Sequence, residues 1–129
     1  ILDNILYKDN KFILIDWREN FGGDLERGDI YYDLAKLRHN IFFNHENIEN
    51  KLFEIININK DSINLDMKCN FYLINQLEQY NKFINENNYD IKKIKIINSL
   101  IWINMSPLHE YPLSNFLFNL GKWTLFQNL

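Results

Sequence analysis

The sequence is poor in the features that mark several protein classes. It has one cysteine, Cys69, so no disulfide can form within the chain, which suits a reducing compartment such as the cytoplasm. No apolar run is long enough to cross a bilayer, because Asn, Lys and Asp interrupt each one. Lysine and arginine form no block and the formal net charge is -3, so nonspecific nucleic-acid binding has no electrostatic support.

Apolar residues, by contrast, are abundant. They make up 47% of the 129 residues, and aromatic residues make up 16%, which is enough to build a core. The length fits one domain or part of one. Cys69 is expected to be a small buried side chain rather than a nucleophile.

Two β-favouring runs, residues 5–7 and 12–15, predict a hairpin near the start of the chain. Asp9-Asn10 lies between them, and both residue types tolerate the positive φ that tight hairpin turns need. The two ends of this hairpin would bring Asn4 and Asp16 to the same side. Residues 52–59 and 63–67 alternate in the same way and predict a second hairpin.

The remaining pattern is helical. Asp29 is a good N-cap for a helix over about 30–43, with residues 17–28 before it and 44–50 after it as loops. Further helices are predicted over 69–87, 90–105 and 113–127, with Asp90 as the N-cap of the second and Pro107 ending it. Helical spacing predicts one face each for the helices over 30–43, 69–87 and 113–127: Leu34, Leu37 and Ile41; Leu73, Leu77, Tyr80 and Ile84; and Phe116, Leu120, Trp123 and Gln127. The large aromatic side chains of the last two helices are expected in the core, although some could instead wall an acceptor site between helices: Trp102, Phe116, Phe118 and Trp123. The predicted fold class is therefore α+β and mostly helical.

Asn4 and Asp16 are the first candidates for chemistry. An amide oxygen and a carboxylate are hard donors of the kind that Mg²⁺ takes together with phosphate oxygens and water. In protein kinases an Asp after a strand and an Asn of the catalytic loop hold two Mg²⁺ ions. The simpler alternative is a turn-capping asparagine and a solvated aspartate.

Three motifs extend this pattern. N-I-L at residues 4–6, L-I-D-W at 14–17 and G-D-x-x-Y-D-L-A at 28–35 occur in that order. Together they resemble the C-terminal lobe of the aminoglycoside phosphotransferase and choline kinase-like family, which has a protein-kinase-like fold. The D-W-R and D-L-A-K-L forms, and P-L-H at 107–109, look closest to bacterial members linked to capsule and surface-polysaccharide synthesis. The resemblance is specific over residues 4–39 and weak from residue 43 onward.

The resemblance implies that residues 1–129 are the catalytic and substrate-binding lobe of a phosphotransferase. ATP or another NTP would donate a phosphoryl group, with Mg²⁺, to a hydroxyl of a small-molecule acceptor, a sugar or an amino alcohol. Asn4 and Asp16 would be the catalytic, cofactor-binding and metal-binding residues. Asp29 would brace the catalytic loop through hydrogen bonds to its backbone, which is compatible with its role as a helix cap.

Arg18 and His109 each have two possible roles. Arg18 could meet an anionic substrate or a phosphate, or it could form a surface ion pair. His109 could line the acceptor pocket, or it could be a packed or capping histidine. No pair of histidines has the H-x-x-x-H spacing, which argues against zinc.

The sequence also departs from the family pattern. The catalytic base of such enzymes is an Asp five residues before the metal-binding Asn, a position that would precede Ile1. No glycine-rich loop or upstream strand lysine is present to hold ATP. We therefore expect that the chain belongs to a longer protein, is inactive alone, and self-associates through apolar surface on its first hairpin. A non-catalytic kinase-like or interaction module is the alternative, and a helical binding domain with a chance match is a third.

Overall fold

The computed structural model describes residues 4–16, 20–58, 62–69 and 71–129. Their elements, in order, are β1 (Ile5–Lys8), β2 (Lys11–Leu14), α1 (Ile30–Phe42), α2 (His45–Glu49), β3 (Phe53–Ile58), β4 (Ile63–Met67), α3 (Phe71–Glu86), α4 (Ile91–Met105), a 3-10 turn (Ser106–Leu108) and α5 (Leu113–Phe126). This confirms a mostly helical α+β fold with an N-terminal hairpin and four long helices. None of the described helices is both long and apolar enough to cross a membrane.

The first hairpin, β1–β2, has the turn that its sequence predicts. Asp9 and Asn10 have φ of 51° and 59°, so both central residues adopt the left-handed conformation of a type I′ turn. The strands pair in a regular antiparallel register from Lys8 opposite Lys11 to Ile5 opposite Leu14. The Tyr7 and Phe12 rings pack across the strands with centroids 5.1 Å apart. The turn therefore fixes which residues meet at the open end.

Aspartates begin two of the helices, as predicted. The Asp29 carboxylate accepts a hydrogen bond of 2.8 Å from the Tyr31 amide at the start of α1. The Asp90 carboxylate accepts hydrogen bonds from the first amides of α4 in the same way. Each cap satisfies amides that have no partner within the helix, and each contributes about 1 kcal/mol.

The prediction of a loop over residues 44–50 is wrong. Residues His45–Glu49 form the short helix α2, which begins with a reciprocal capping box. The Asn44 side chain accepts from the Asn47 amide, and the Asn47 side-chain oxygen accepts from the Asn44 amide, both at 3.0 Å. The polar composition of this segment suggested a loop. The two asparagine side chains instead accept hydrogen bonds from backbone amides at the N-terminus of α2, which would otherwise have no partner in the helix.

The second hairpin, β3–β4, confirms its prediction and covers α5. Its register shifts between Ile55 and Asn57, which indicates a bulge. The Phe53 ring packs against Phe116 of α5 at 4.9 Å and against Phe43 at 5.7 Å. This hairpin thus closes one side of the helical body with aromatic contacts.

The core lies around α4, which packs between α1 and α5. One buried cluster joins α1, α3 and α4: Leu34, Ala35, Ile41, Tyr80, Ile84, Ile94 and Ile101. A second joins α4, α5 and the end of α1: Phe43, Trp102, Phe116, Leu117 and Leu120. These side chains confirm the apolar faces predicted for α1 and α3. Their burial is the main source of stability in the described fold.

Two of the four aromatic predictions, and the prediction for Cys69, are wrong. Trp102 and Phe116 are each 1% exposed, whereas Trp123 is 58% and Phe118 42% exposed. Cys69 is exposed, not buried. On α5 the buried stripe runs through Phe116, Leu117, Leu120 and Gly121. It shares Phe116 and Leu120 with the predicted stripe but includes Gly121 in place of Trp123. At Gly121 the backbone of α5 lies close to α4.

Gly121 provides a test of that close approach. A Cβ atom at this position would lie 2.8 Å from the Ser99 backbone oxygen and 2.7 Å from Ile103 Cγ1. Gly121→Ala gains about 1 kcal/mol of helix propensity, but the overlap with α4 backbone is expected to outweigh it. We predict a net loss of about 2 kcal/mol in the free energy of unfolding, measured by urea denaturation. Lys122→Ala, at the exposed next position, is the control and should be near neutral.

Polar side chains are also buried between α1 and α4. Arg38 Nη1 donates a hydrogen bond of 2.7 Å to Asn98 Oδ1, which is fully buried. His39 is 7% exposed, and its ring lies 5.8 Å from that of Trp102. Burial, with a smaller contribution from the charge of Lys36, lowers the pKa of His39 to about 4. The folded state therefore holds this histidine neutral.

The lowered pKa of His39 predicts that the fold loses stability in mild acid. The unfolded chain takes up a proton near pH 6.5 that the folded chain excludes down to about pH 4. The free energy of unfolding should fall by about 3 kcal/mol across that window and lose no more from this group below it. His39→Gln should flatten this part of the stability profile, measured by denaturation at successive pH values. A His39→Gln variant that keeps the wild-type slope of stability between pH 6.5 and about pH 4 would contradict the assignment.

Candidate functional site

Asn4 and Asp16 meet at the open end of the first hairpin. Asn4 Nδ2 donates a hydrogen bond of 2.9 Å to Asp16 Oδ2. The backbone closes the same end, because the Ile15 amide donates to the Asn4 carbonyl at 2.8 Å. The prediction that the hairpin brings these two side chains together is confirmed. Their chemical role remains a prediction.

The local backbone explains this meeting. Ile5 pairs with Leu14, so the next positions outward place Asn4 beside Ile15 and then Asp16. Asp16 has φ of 55°, a left-handed conformation that aspartate tolerates better than most residues. A non-glycine residue in this conformation lowers the stability of the fold by on the order of 1 kcal/mol, and such residues are often found at functional sites.

A cleft of about 610 Å³ opens beside Asn4. The hairpin forms one side of it, the 20–28 segment a second, and the first turns of α1 the third. Gly22 and Gly23, with φ of 61° and 93°, make a tight turn that joins Phe21 to Asp24 by two backbone hydrogen bonds. The Phe21 ring then packs on Tyr32 of α1 at 5.5 Å. The glycine turn therefore anchors the loop to the helix and shapes the cleft.

The cleft is lined by charges of both signs. Its carboxylates are Asp24, Glu26 and Asp33, and its cations are Arg27 and Lys36. The Asp24 carboxylate is already engaged, because it accepts hydrogen bonds from the backbone amides of Glu26 and Arg27. The cleft beside Asn4 therefore contains carboxylate oxygens that could bind a cation and positively charged side chains that could bind an anion.

The Asn4–Asp16 pair fits a magnesium ion by its donor set. An amide oxygen and a carboxylate are two of the hard oxygen ligands that Mg²⁺ takes. The contact of 2.9 Å joins Asn4 Nδ2 to Asp16 Oδ2, so the amide now presents its nitrogen to the carboxylate. Rotation of the amide group would present its oxygen in place of its nitrogen.

No group of three His, Cys, Asp or Glu side chains that could hold a metal occurs among the described residues. Mg²⁺ is typically bound by one or two protein ligands, with substrate phosphates and water completing its shell. A two-ligand site is therefore sufficient for Mg²⁺, provided that a phosphate-bearing ligand is bound with it.

Asp29 and His109, the other predicted site residues that the structure describes, do not join this pair. The Asp29 carboxylate accepts a hydrogen bond that caps α1. The proposed role of Asp29 in bracing a catalytic loop stays a prediction. Arg18 lies outside the described residues, and both interpretations of it stay open. His109 follows the 3-10 turn, where its backbone amide donates to the Ser106 carbonyl at 3.2 Å, and it does not line the cleft.

Sequence reasoning missed the 20–28 segment and Lys36 as parts of the cleft. The Gly22-Gly23 pair is a turn signal that could have predicted the folding back of this loop. Tyr32 and Lys36 are four residues apart on α1 and therefore share a face. Which face turns toward the hairpin depends on tertiary packing, which no local pattern records.

Comparison with known proteins adds no assignment: no family model, no curated protein and no solved structure matches this chain. The family resemblance therefore depends on the motifs themselves and on the geometry of the residues in them.

Metal binding can be tested without any activity assay. Mn²⁺ added to the chain together with ADP should broaden the amide NMR signals of Asn4, Ile5, Ile15 and Asp16 before those of other residues. Asp16→Asn should abolish this selective broadening, because it removes the charged ligand. Asp9→Asn removes an exposed carboxylate from the other end of the same hairpin and should leave it intact. Uniform broadening in all three proteins would contradict a site at this pair.

Proposed function

We propose that this chain forms the metal-binding and acceptor-binding lobe of an ATP- and Mg²⁺-dependent phosphotransferase. The acceptor is a hydroxyl of a small molecule, a sugar or an amino alcohol. The observation that carries the proposal is the 2.9 Å contact between Asn4 and Asp16, on the two arms of one hairpin and beside a cleft. The order of the three kinase-like motifs supports the same function.

The proposed chemistry asks little of the protein beyond positioning. Phosphoryl transfer depends mainly on alignment of donor and acceptor and on neutralisation of phosphate charge. When bound, Mg²⁺ supplies that neutralisation. Asp16 and Asn4 would hold the ion through their oxygens, and the hairpin backbone would fix the spacing between them.

The cations of the cleft have a place in this proposal. Arg27 and Lys36 line the cleft that Asn4 also lines, so either could meet phosphate oxygens of a bound nucleotide. The carboxylates of the same cleft, Glu26 and Asp33, suit an acceptor with hydroxyl or ammonium donors. A role in capsule or surface-polysaccharide biosynthesis, in the cytoplasm where ATP is available, is supported by the form of the motifs alone.

One observation favours a second candidate, a non-catalytic kinase-like or interaction module. Apolar side chains of the first hairpin are exposed, including Phe12 at 75%, Tyr7 at 64% and Leu6 at 49%. The Tyr7 and Phe12 rings pack on each other on one face of the hairpin, and exposed apolar surface of this kind commonly marks a protein contact. In such a module the hairpin would serve binding and the Asn4–Asp16 pair would only close its end. Self-association through the hairpin stays a prediction under either function.

Substitution of Asp16 separates the two candidates. The natural protein that contains residues 1–129 should transfer phosphate from ATP to a hydroxyl acceptor in the presence of Mg²⁺, tested on a panel of sugars and amino alcohols. Asp16→Asn should lower kcat by about a hundredfold or more, since the metal ligand carries the charge. Asp9→Asn is the matched control and should retain activity.

Two outcomes would overturn the proposal. Wild-type turnover in Asp16→Asn would show that this carboxylate holds no catalytic metal. Failure of the natural protein to consume ATP with any acceptor, while it still binds a protein partner through the hairpin, would support the module.

A further inference from the structure

A second cleft, of about 570 Å³, lies between α1 and α3. It shares no lining residue with the cleft beside Asn4. Its floor is apolar and consists of Leu37, Ile41 and Tyr80. The Tyr80 hydroxyl donates a hydrogen bond of 2.9 Å to the Leu34 carbonyl. Tyr80 therefore presents its ring, rather than its hydroxyl, to the cleft.

One face of α3 forms the wall of this cleft. Tyr72, Gln76, Gln79 and Phe83 follow one another at intervals of four, three and four residues, which places them in one row along the helix. Tyr72 is 67% and Phe83 47% exposed. With a rise of 1.5 Å per residue, the two aromatic positions are about 16 Å apart along the axis. Two exposed rings thus flank an elongated opening.

Apart from the Tyr72 hydroxyl, the polar side chains that line this cleft are carboxamides. Asn75, Gln76 and Gln79 each offer both donors and an acceptor. Among the described residues, none of the three side chains has a hydrogen-bond partner. None of the described residues that line this cleft carries a charge, unlike those around the first cleft. A ligand that complements this surface is uncharged, rich in hydroxyl groups and apolar on its ring faces.

We propose that this cleft binds a neutral oligosaccharide. The C–H face of a pyranose ring offers apolar surface to an aromatic ring, so sugars at the two ends would stack on Tyr72 and Phe83. Hydroxyl groups of the sugars between them would pair with Gln76 and Gln79, which accept and donate as a hydroxyl does. An amphipathic helix of a partner protein fits less well, because it would bury unpaired carboxamides along its contact.

Oligosaccharide binding can be measured directly on the 129-residue chain. Saturation-transfer NMR and calorimetric titration with maltohexaose, cellohexaose and laminarihexaose would sample three neutral linkages. At least one should bind, and Tyr72→Ala should weaken it by about tenfold through loss of one stacking contact. The double variant Gln76→Ala and Gln79→Ala should weaken it further. A hyaluronan hexasaccharide, which carries carboxylates, should bind more weakly.

Phe71→Ala is the matched control. Phe71 is 82% exposed on the same turn of α3 as Tyr72 but does not line the cleft. It should leave binding unchanged, and circular dichroism should show that every variant keeps its helix content. The inference is wrong if none of the three neutral probes binds or if Phe71→Ala and Tyr72→Ala behave alike. It is also wrong if Tyr72→Ala abolishes self-association of the chain, which would assign the cleft to a second copy.

Discussion

The two-residue turn at Asp9 and Asn10 is the constraint on which the proposed site depends. Because both residues adopt positive φ, the turn is short and the strand register that follows from it is fixed. A shift of one residue would move Asp16 away from Asn4 and reverse the side-chain faces of β2. The 2.9 Å contact between Asn4 and Asp16 is thus a consequence of the conformation of turn residues five or more positions away.

The helical body supplies what the hairpin lacks. A two-stranded ribbon is at most marginally stable alone in water, and the exposed strands bury little of their surface. The long helices form two joined clusters around α4, and α1 carries Tyr32 and Lys36 to the side of the first cleft. The same helix, on another side, contributes Leu37 and Ile41 to the second cleft. One helix therefore separates a charged site from an uncharged one.

Short sequence patterns correctly predicted the hairpin turn, two helix starts and two buried helix faces. The turn residues predicted the first hairpin, Asp29 and Asp90 predicted two helix starts, and the spacing of apolar residues predicted the buried faces of α1 and α3. The predicted hairpin also placed Asn4 and Asp16 on the same side, and their hydrogen bond confirms this. These features depend on backbone preferences and on periodicity over a few residues, which a single sequence records directly.

The wrong predictions concern segments in which contacts between distant residues decide which of two locally possible structures forms. On α5 two stripes share Phe116 and Leu120, and Gly121 selects the one that allows close helix packing, so Trp123 stays exposed. The α2 helix depends on a reciprocal pair of asparagines that composition alone classed as loop. The walls of both clefts combine residues from distant segments, so neither volume nor charge could be predicted from sequence.

A crystal structure of the natural protein that contains residues 1–129, grown with Mn²⁺ and a non-hydrolysable ATP analogue, tests the proposed metal site most directly. The account predicts an anomalous peak between the two side chains, bonded to oxygens of both Asn4 and Asp16 and to phosphate oxygens of the nucleotide. The Asn4 amide would then be rotated relative to its present hydrogen bond. A nucleotide bound elsewhere, or the Asn4–Asp16 hydrogen bond kept unchanged with no metal beside it, would contradict the proposed site.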